Sequence, residues 1–161
     1  MKYLAILVVA LFLGSCSCLK KKEKPELLII NVLDQEFFND CRITGSVNVP
    51  FEQLEDFAKK LDKDTQIVVY CSNYKCTASF LGARMFKQMG FKNVWAYEAG
   101  MAEWYQQKLP VEGLCVQSYL TMDNKPIEGD KDSDVEIIST EELRSKLQQG
   151  EQGTQVVACG Y

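Results

Sequence analysis

The stretch that decides the fold reads Gln66-Ile67-Val68-Val69-Tyr70-Cys71-Ser72-Asn73-Tyr74-Lys75-Cys76-Thr77. Four of its first five residues are β-branched or aromatic, which predicts a strand that is buried on both faces. A short loop follows, and apolar residues at helical spacing between Thr77 and Met89 predict the next helix. A strand, a loop and a helix in this order predict one βα unit of a parallel sheet.

The same alternation of strands and helices continues on both sides of this unit. Further strands are predicted at Leu27–Val32 and Asn93–Tyr97, and a turn with a short strand at Gly45–Pro50. Further helices are predicted at Asp34–Asp40, Phe51–Leu61 and Met101–Gln107. We therefore expect an α/β fold, with a parallel sheet of about four to five strands flanked by helices and joined by right-handed crossovers.

Cys71, which follows the central strand directly, is the candidate catalytic nucleophile. N–H groups of the loop and the N-terminus of the next helix favour a thiolate and an anion bound beside it. Such activation needs no base, and the chain has no histidine, so papain-like Cys–His catalysis is excluded. From the residues alone, a buried and unreactive cysteine is an equal alternative.

The loop raises two further questions. Cys76, five residues after Cys71, is either a small apolar residue under the loop or a thiol that resolves a persulfide as a disulfide. Thr77 occupies the position at which a phosphate-transferring cysteine loop needs an arginine, which argues against a phosphatase.

Composition excludes other classes of function. The chain of 161 residues has a formal charge of −4 and no basic stripe in its body, which argues against nucleic-acid binding. It has no histidine and no Cys-x-x-Cys pair, so no zinc site or other metal site is expected, and no cofactor is implied.

The first residues predict export. A positive start, Met1-Lys2, precedes the apolar run Tyr3–Leu13, which is too short to span a bilayer but fits a signal peptide. The following Leu13-Gly14-Ser15-Cys16 resembles the bacterial lipoprotein signal, which implies a signal peptide over residues 1–15 and lipid on Cys16. Residues 16–25 would be a lysine-rich tether that holds the protein at the periplasmic or extracytoplasmic face of a bacterial membrane. An uncleaved anchor and an ordinary secretory signal are the alternatives.

Between Leu27 and Gly113 lie four motifs: Cys41-Arg42-Ile43-Thr44-Gly45-Ser46-Val47-Asn48-Val49-Pro50, Tyr70-Cys71 with its loop, Gly90-Phe91-Lys92-Asn93-Val94 and Ala99-Gly100-Met101-Ala102-Glu103-Trp104. They occur in the order found in rhodanese-like domains, and the segment resembles that family. The resemblance implies a sulfurtransferase in which Cys71 takes sulfane sulfur as a persulfide and passes it to a thiol or cyanide. It also implies that a small sulfur-containing anion binds at the loop residues Ser72, Asn73, Tyr74, Lys75, Cys76 and Thr77.

The chain departs from the family pattern at several positions. Asn31-Val32-Leu33 replaces an Asp-x-Arg motif, Arg42 replaces a histidine, and Tyr74 and Cys76 stand where the loop usually has glycine and arginine. These departures keep Cys71 but leave the sulfur donor open. They also leave two alternatives: a catalytically silent binding module of the same fold, and a thiol redox protein that uses Cys71 and Cys76.

The predicted rhodanese-like domain spans residues 26–113, and residues 114–161 form an extension that reads as strand, helix and strand. Ile138-Ser139-Thr140-Glu141-Glu142-Leu143 resembles the opening of a rhodanese domain, with Ser139 and Glu142 placed to form a capping box. The extension is either a remnant of a second repeat or a segment that folds back onto the domain. Because a piece of this size buries little apolar surface alone, we expect docking, with Val135–Ile138 at a sheet edge and Leu143 and Leu147 against the domain.

Overall fold

The computed structural model describes residues 27–127 and 134–153, with side chains as far as residue 149. The strands are β1 Leu27–Asn31, β2 Arg42–Ile43, β3 Val47–Asn48, β4 Gln66–Tyr70, β5 Asn93–Tyr97, β6 Val111–Glu112 and β7 Glu136–Ile137. The helices are α1 Gln35–Asp40, α2 Leu54–Ala58, α3 Ala78–Gln88, α4 Gly100–Gln106 and α5 Thr140–Gly153. None of these helices is long and apolar enough to cross a membrane.

The main sheet has five parallel strands in the order β3-β1-β4-β5-β7, which confirms the predicted fold class. β4 lies at its centre and pairs along its whole length with β1 and β5. A small antiparallel pair, β2 with β6, was not predicted from the sequence. Its two-residue strands are joined by the Arg42–Glu112 ion pair, whose nitrogen and oxygen are 2.7 Å apart.

Alternate residues of β4 supply the apolar cores on the two faces of the sheet. Ile67 and Val69 pack with α2 and α3, whereas Val68 and Tyr70 pack with α4 and the C-terminal part of the chain. All four side chains are fully buried. A strand covered on both faces has no polar positions, which explains the continuous apolar run in the sequence.

The helix predicted at Phe51–Leu61 is shorter than expected. A 3₁₀ turn occupies Phe51–Gln53, and α2 covers only Leu54–Ala58. After α2 the N–H groups of Lys60 and Leu61 bond to carbonyls three residues back, so the chain tightens and leaves the helix. The apolar spacing predicted the face that buries Leu54 and Ala58, but Phe51 is exposed and the change of helix type was not predicted.

The extension docks as predicted. β7 pairs in parallel with β5 at the edge of the sheet, Leu143 is fully buried, and Leu147 packs against the same core. Glu142 accepts hydrogen bonds from the N–H and hydroxyl of Ser139, and the Glu142 N–H donates back to the Ser139 hydroxyl, so the capping box is present. The strand predicted at residues 155–159 lies outside the described residues, as do the predicted signal peptide, tether and Cys16.

A disulfide joins Cys41, directly after α1, to Cys115, two residues after the domain boundary predicted at residue 113. The two Cα atoms are 4.6 Å apart, and the cysteines are 74 positions apart in sequence. This pair was not predicted from the sequence. The bond ties the start of the extension to the first helix of the domain.

Candidate active site

The position of Cys71 is fixed by β4 and by the start of α4. The N–H of Met101 donates to the Cys71 carbonyl and the N–H of Ala102 to the Ser72 carbonyl, each over 2.9 Å. Gly100 directly precedes Met101 and has a φ of 63°. A Cβ at this position would lie 2.7 Å from the backbone nitrogen of Asn73. Only glycine allows the α4 terminus to approach the Cys71 loop this closely.

The Cys71 thiol is fully buried and surrounded by hydrogen-bond acceptors. Its Sγ lies 3.1 Å from the Cys76 carbonyl oxygen and 3.4 Å from the Ser79 hydroxyl. The pKa of Cys71 is raised above that of an ordinary thiol, first because its S–H is hydrogen-bonded to the Cys76 side chain and second because the site is buried. In this arrangement Cys71 holds a proton.

Cys76 has the opposite environment. It is half-buried, and the hydrogen bond from Cys71 is the main reason that its pKa falls to about 6. The N–H groups of Ala78 and Ser72 and the Ser72 hydroxyl lower it further, against the effect of burial. Cys76 is therefore the more acidic of the two thiols, and it lies just before the N-terminus of α3.

The loop N–H groups are arranged differently from the sequence expectation, in which they converge on Cys71. The Cys76 N–H bonds to the Asn73 carbonyl over 3.0 Å, and the Lys75 N–H bonds to the Asn73 side chain over 3.0 Å. The Tyr74 N–H bonds over 3.1 Å to the side chain of Asn124. Three donors of the loop thus have partners within the protein, because Asn73 folds the loop into a tight turn and Asn124 holds its outer part.

The proposed binding residues divide into an inner and an outer group. Ser72, Asn73, Tyr74 and Cys76 are half-buried around the turn, whereas the side chains of Lys75 and Thr77 are exposed at its rim. The assignment of these residues to substrate binding remains a prediction.

The motif from Cys41 to Pro50 reaches the site through Tyr70. The Tyr70 hydroxyl accepts the N–H of Ile43 over 3.2 Å and lies 2.9 Å from the Ser46 hydroxyl. Burial raises the pKa of Tyr70, so this hydroxyl stays protonated and links the motif to the residue before Cys71.

Two residues of the site, Ser79 and Asn124, were not predicted from the sequence. Ser79, which is fully buried, could have been found from its place in the first turn of α3, next to the strand end. Asn124 comes from the extension, 50 residues after Tyr74, and no local pattern marks it. Within residues 27–127 and 134–153 no cluster of three or more potential metal ligands is present.

The similarity to known proteins covers the part of the chain that contains the Cys71 loop. The family model of the rhodanese-like domain matches residues 17–107, more than half of the chain. The HTH-type transcriptional regulator Rv0324 of Mycobacterium tuberculosis is 30% identical over 94 residues, a match that covers 58% of this chain and 41% of that protein. Thiosulfate sulfurtransferase GlpE of Coxiella burnetii is 27% identical over 82 residues, which cover 51% of this chain and 75% of the enzyme.

Solved structures include a similar fold. The BH2092 protein from Bacillus halodurans has a TM-score of 0.51 and 29% identity, and the match covers 55% of this chain and 65% of that one. The present chain therefore spans less than two thirds of BH2092 and less than half of the transcriptional regulator.

Proposed function

Since this chain belongs to the rhodanese-like domain family, we propose that it is a sulfurtransferase that carries sulfane sulfur as a persulfide on Cys71. The acceptor is a thiol or a similar nucleophile. The observation that carries the proposal is the place of Cys71, at the end of the central strand and between the loop and the first turn of α3. The similarity to a thiosulfate sulfurtransferase from Coxiella burnetii supports it over half of the chain.

The chemistry requires a Cys71 thiolate, which forms here in a chain that has no histidine. Cys76 is the more acidic of the two thiols, and the interaction with Cys76 is the largest cause of the raised pKa of Cys71. Cys71 therefore reacts through the fraction of molecules in which its proton has passed to solvent, and this fraction rises with pH.

Sulfur transfer then proceeds in two displacements. With thiosulfate as the donor, the Cys71 thiolate attacks the outer sulfur, the sulfur–sulfur bond of thiosulfate breaks, and sulfite leaves with the electron pair. An acceptor thiolate next attacks the outer sulfur of the Cys71 persulfide, and the Cys71 thiolate is released. No net oxidant is needed, and the released Cys71 thiolate takes up a proton from solvent.

The test is a mass measurement on the full chain after incubation with thiosulfate and, separately, with inorganic polysulfide. We expect the mass of one added sulfur atom, mapped to the peptide that contains Cys71 and removed by cyanide. Cys71→Ser should abolish this gain in mass and leave the circular dichroism spectrum unchanged. Cys76→Ser should still gain sulfur on Cys71, and no more slowly than the parent chain, because the interaction with Cys76 is the largest cause of the raised pKa of Cys71.

Two results would overturn the proposal. Sulfur uptake by Cys71→Ser at the parent rate would show that another residue carries the sulfur. A parent chain that takes up no sulfur from either donor at any pH would favour the silent binding module.

A thiol redox function is the second candidate, and the closeness of two free cysteines favours it, since the Cys71 sulfur lies 3.1 Å from the Cys76 carbonyl oxygen. The Cys76 thiolate would attack the Cys71 sulfur of the persulfide, form a Cys71–Cys76 disulfide and expel hydrosulfide with the outer sulfur. In the same mass experiment without an acceptor, this route gives a parent chain lighter by two hydrogens and free sulfide in solution. Cys76→Ser would instead keep its persulfide.

We also propose that the protein is exported and held at a membrane by lipid on Cys16. The disulfide between Cys41 and Cys115 supports an oxidising compartment, because such bonds are rare in the reducing cytosol.

A further inference from the structure

Residues 115–124, here called the strap, follow the segment that matches the family model and lie across the domain beside the Cys71 loop. The strap begins at the disulfide to Cys41. The Asp40 carbonyl accepts the N–H of Cys115 over 2.8 Å, and the Asp40 carboxylate accepts the N–H groups of Val116 and Gln117 over 3.1 and 3.2 Å. These contacts fix the first third of the strap to the end of α1.

The middle of the strap is fixed by α4. Leu120 is fully buried, and the side-chain amide of Gln106 donates to the carbonyls of Leu120 and Met122 over 3.0 and 2.9 Å. The N–H of Met101 in α4 also donates to the Cys71 carbonyl, so the same helix holds both the strap and Cys71.

Asn124 ends the strap and bridges two parts of the site. Its side-chain oxygen accepts the Tyr74 N–H of the loop over 3.1 Å. Its side-chain nitrogen donates to the Ala99 carbonyl, just before α4, over 2.9 Å. Both ends of this amide are therefore used, which fixes the direction of the Tyr74 peptide relative to α4.

A second feature of the strap is the hydroxyl of Tyr119. This hydroxyl is buried and has no hydrogen-bond partner among the described residues. Tyr119 packs against the core cluster that contains Tyr70, the residue before Cys71, and burial raises the pKa of Tyr119, so its hydroxyl remains a donor. A buried donor without a partner points to a bound group that completes its hydrogen bonding.

We propose that Asn124 is a positioning residue for sulfur transfer, which holds the Tyr74 peptide so that the loop keeps its shape around Cys71. The strap thereby forms part of the site, although it lies outside the family match. This inference rests on the proposed sulfurtransferase function, but the accessibility of Cys71 tests it separately. Asn124 does not touch the reacting sulfur.

The test compares Asn124→Ala and Asn124→Asp with the parent chain in two assays. The first is the rate of alkylation of Cys71 by neutral chloroacetamide, read by peptide mass, and the second is the single-turnover rate of sulfur uptake. Asn124→Ala leaves the Tyr74 N–H and the Ala99 carbonyl without partners. We expect alkylation of the otherwise buried Cys71 to rise, and sulfur uptake to fall about tenfold, the value of one hydrogen bond to a buried group.

Asn124→Asp keeps an acceptor for the Tyr74 N–H, so it should restore the protection of Cys71 from alkylation. Its negative charge should weaken the binding of anionic thiosulfate, so that the single-turnover rate reaches half its maximum at a higher thiosulfate concentration while the maximal rate changes less. Mere loss of stability would not produce this split. Asp123→Asn is the matched control, because the Asp123 carboxylate is exposed and pairs only locally with Lys125. It should leave alkylation unchanged.

Two results would overturn the inference. One is a folded Asn124→Ala chain in which Cys71 is alkylated at the parent rate. The other is an Asn124→Asp chain in which Cys71 is alkylated as fast as in Asn124→Ala. If the parent chain takes up no sulfur, the proposed function fails, and the alkylation assay still decides whether Asn124 positions the loop.

Discussion

At the scale of single residues, two cysteines five positions apart have opposite properties because their surroundings differ. Cys71 is buried beside a carbonyl and a hydroxyl, whereas Cys76 is half-buried beside N–H donors at the start of α3. The position of Cys71 directly after a strand was predicted correctly, because the end of the strand is visible in the apolar pattern. It did not show which thiol is ionised, since that depends on the direction of individual loop peptides.

This difference predicts the pH dependence of labelling at Cys76. A lowered pKa means that the thiolate is present above about pH 6 and is lost as the pH falls through that value. Alkylation of Cys76 by iodoacetamide, followed by peptide mass, should therefore reach half its maximal rate near pH 6. In Cys71→Ala the midpoint should move towards that of an ordinary thiol, because the largest cause of the lowered pKa is gone.

Lys75→Ala is the control for this experiment. The exposed Lys75 side chain is the nearest cation in the loop sequence, yet it is not among the causes of the shift. The midpoint should stay where it is in the parent chain. A shift in Lys75→Ala as large as that in Cys71→Ala would assign the acidity to the lysine and contradict the role of the thiol contact.

At the scale of elements, the sequence predicted those parts of the fold that one stretch of chain decides. β4 and β5 have the predicted bounds because their apolar runs end at polar residues. The disulfide between Cys41 and Cys115 was not predictable, since seven cysteines allow many pairings and the partners are 74 residues apart. The strap was not predicted for the same reason, because the contacts that fix it to the domain are made with the distant residues Asp40, Tyr74 and Gln106.

The disulfide should contribute strongly to stability. Closing a loop of this length restricts the unfolded chain, so the double variant Cys41→Ala/Cys115→Ala should lose about 2–5 kcal/mol of unfolding free energy. Urea denaturation followed by tryptophan fluorescence measures the loss. Reducing agent should lower the midpoint of the parent chain by a similar amount and leave that of the double variant unchanged. Equal midpoints for the parent and double variant without reductant would contradict this.

At the scale of the whole molecule, the extension is an integral part of the fold. Thr140 illustrates this, because its hydroxyl lies 2.9 Å from the Tyr97 hydroxyl of β5 and donates to Glu103 of α4 over 2.6 Å. Docking was predictable from size, since an isolated strand and helix cannot bury Leu143 by themselves. The contact of Asn124 with the Cys71 loop was not predictable, because size and patterning say that a segment must dock but not which polar groups it meets.

The last prediction concerns where the whole molecule resides. The apolar run Tyr3–Leu13 and the following Leu13-Gly14-Ser15-Cys16 resemble a lipoprotein signal, and more than one acyl chain on Cys16 would hold the protein stably on a membrane. In a bacterial host grown with radiolabelled palmitate, the parent chain should take up label and sediment with membranes. Cys16→Ala should lose the label and appear as a soluble or unprocessed form. Cys18→Ala, two residues further along the same tether, is the matched control and should be labelled like the parent. Equal labelling of the parent and Cys16→Ala would show that Cys16 does not carry the lipid.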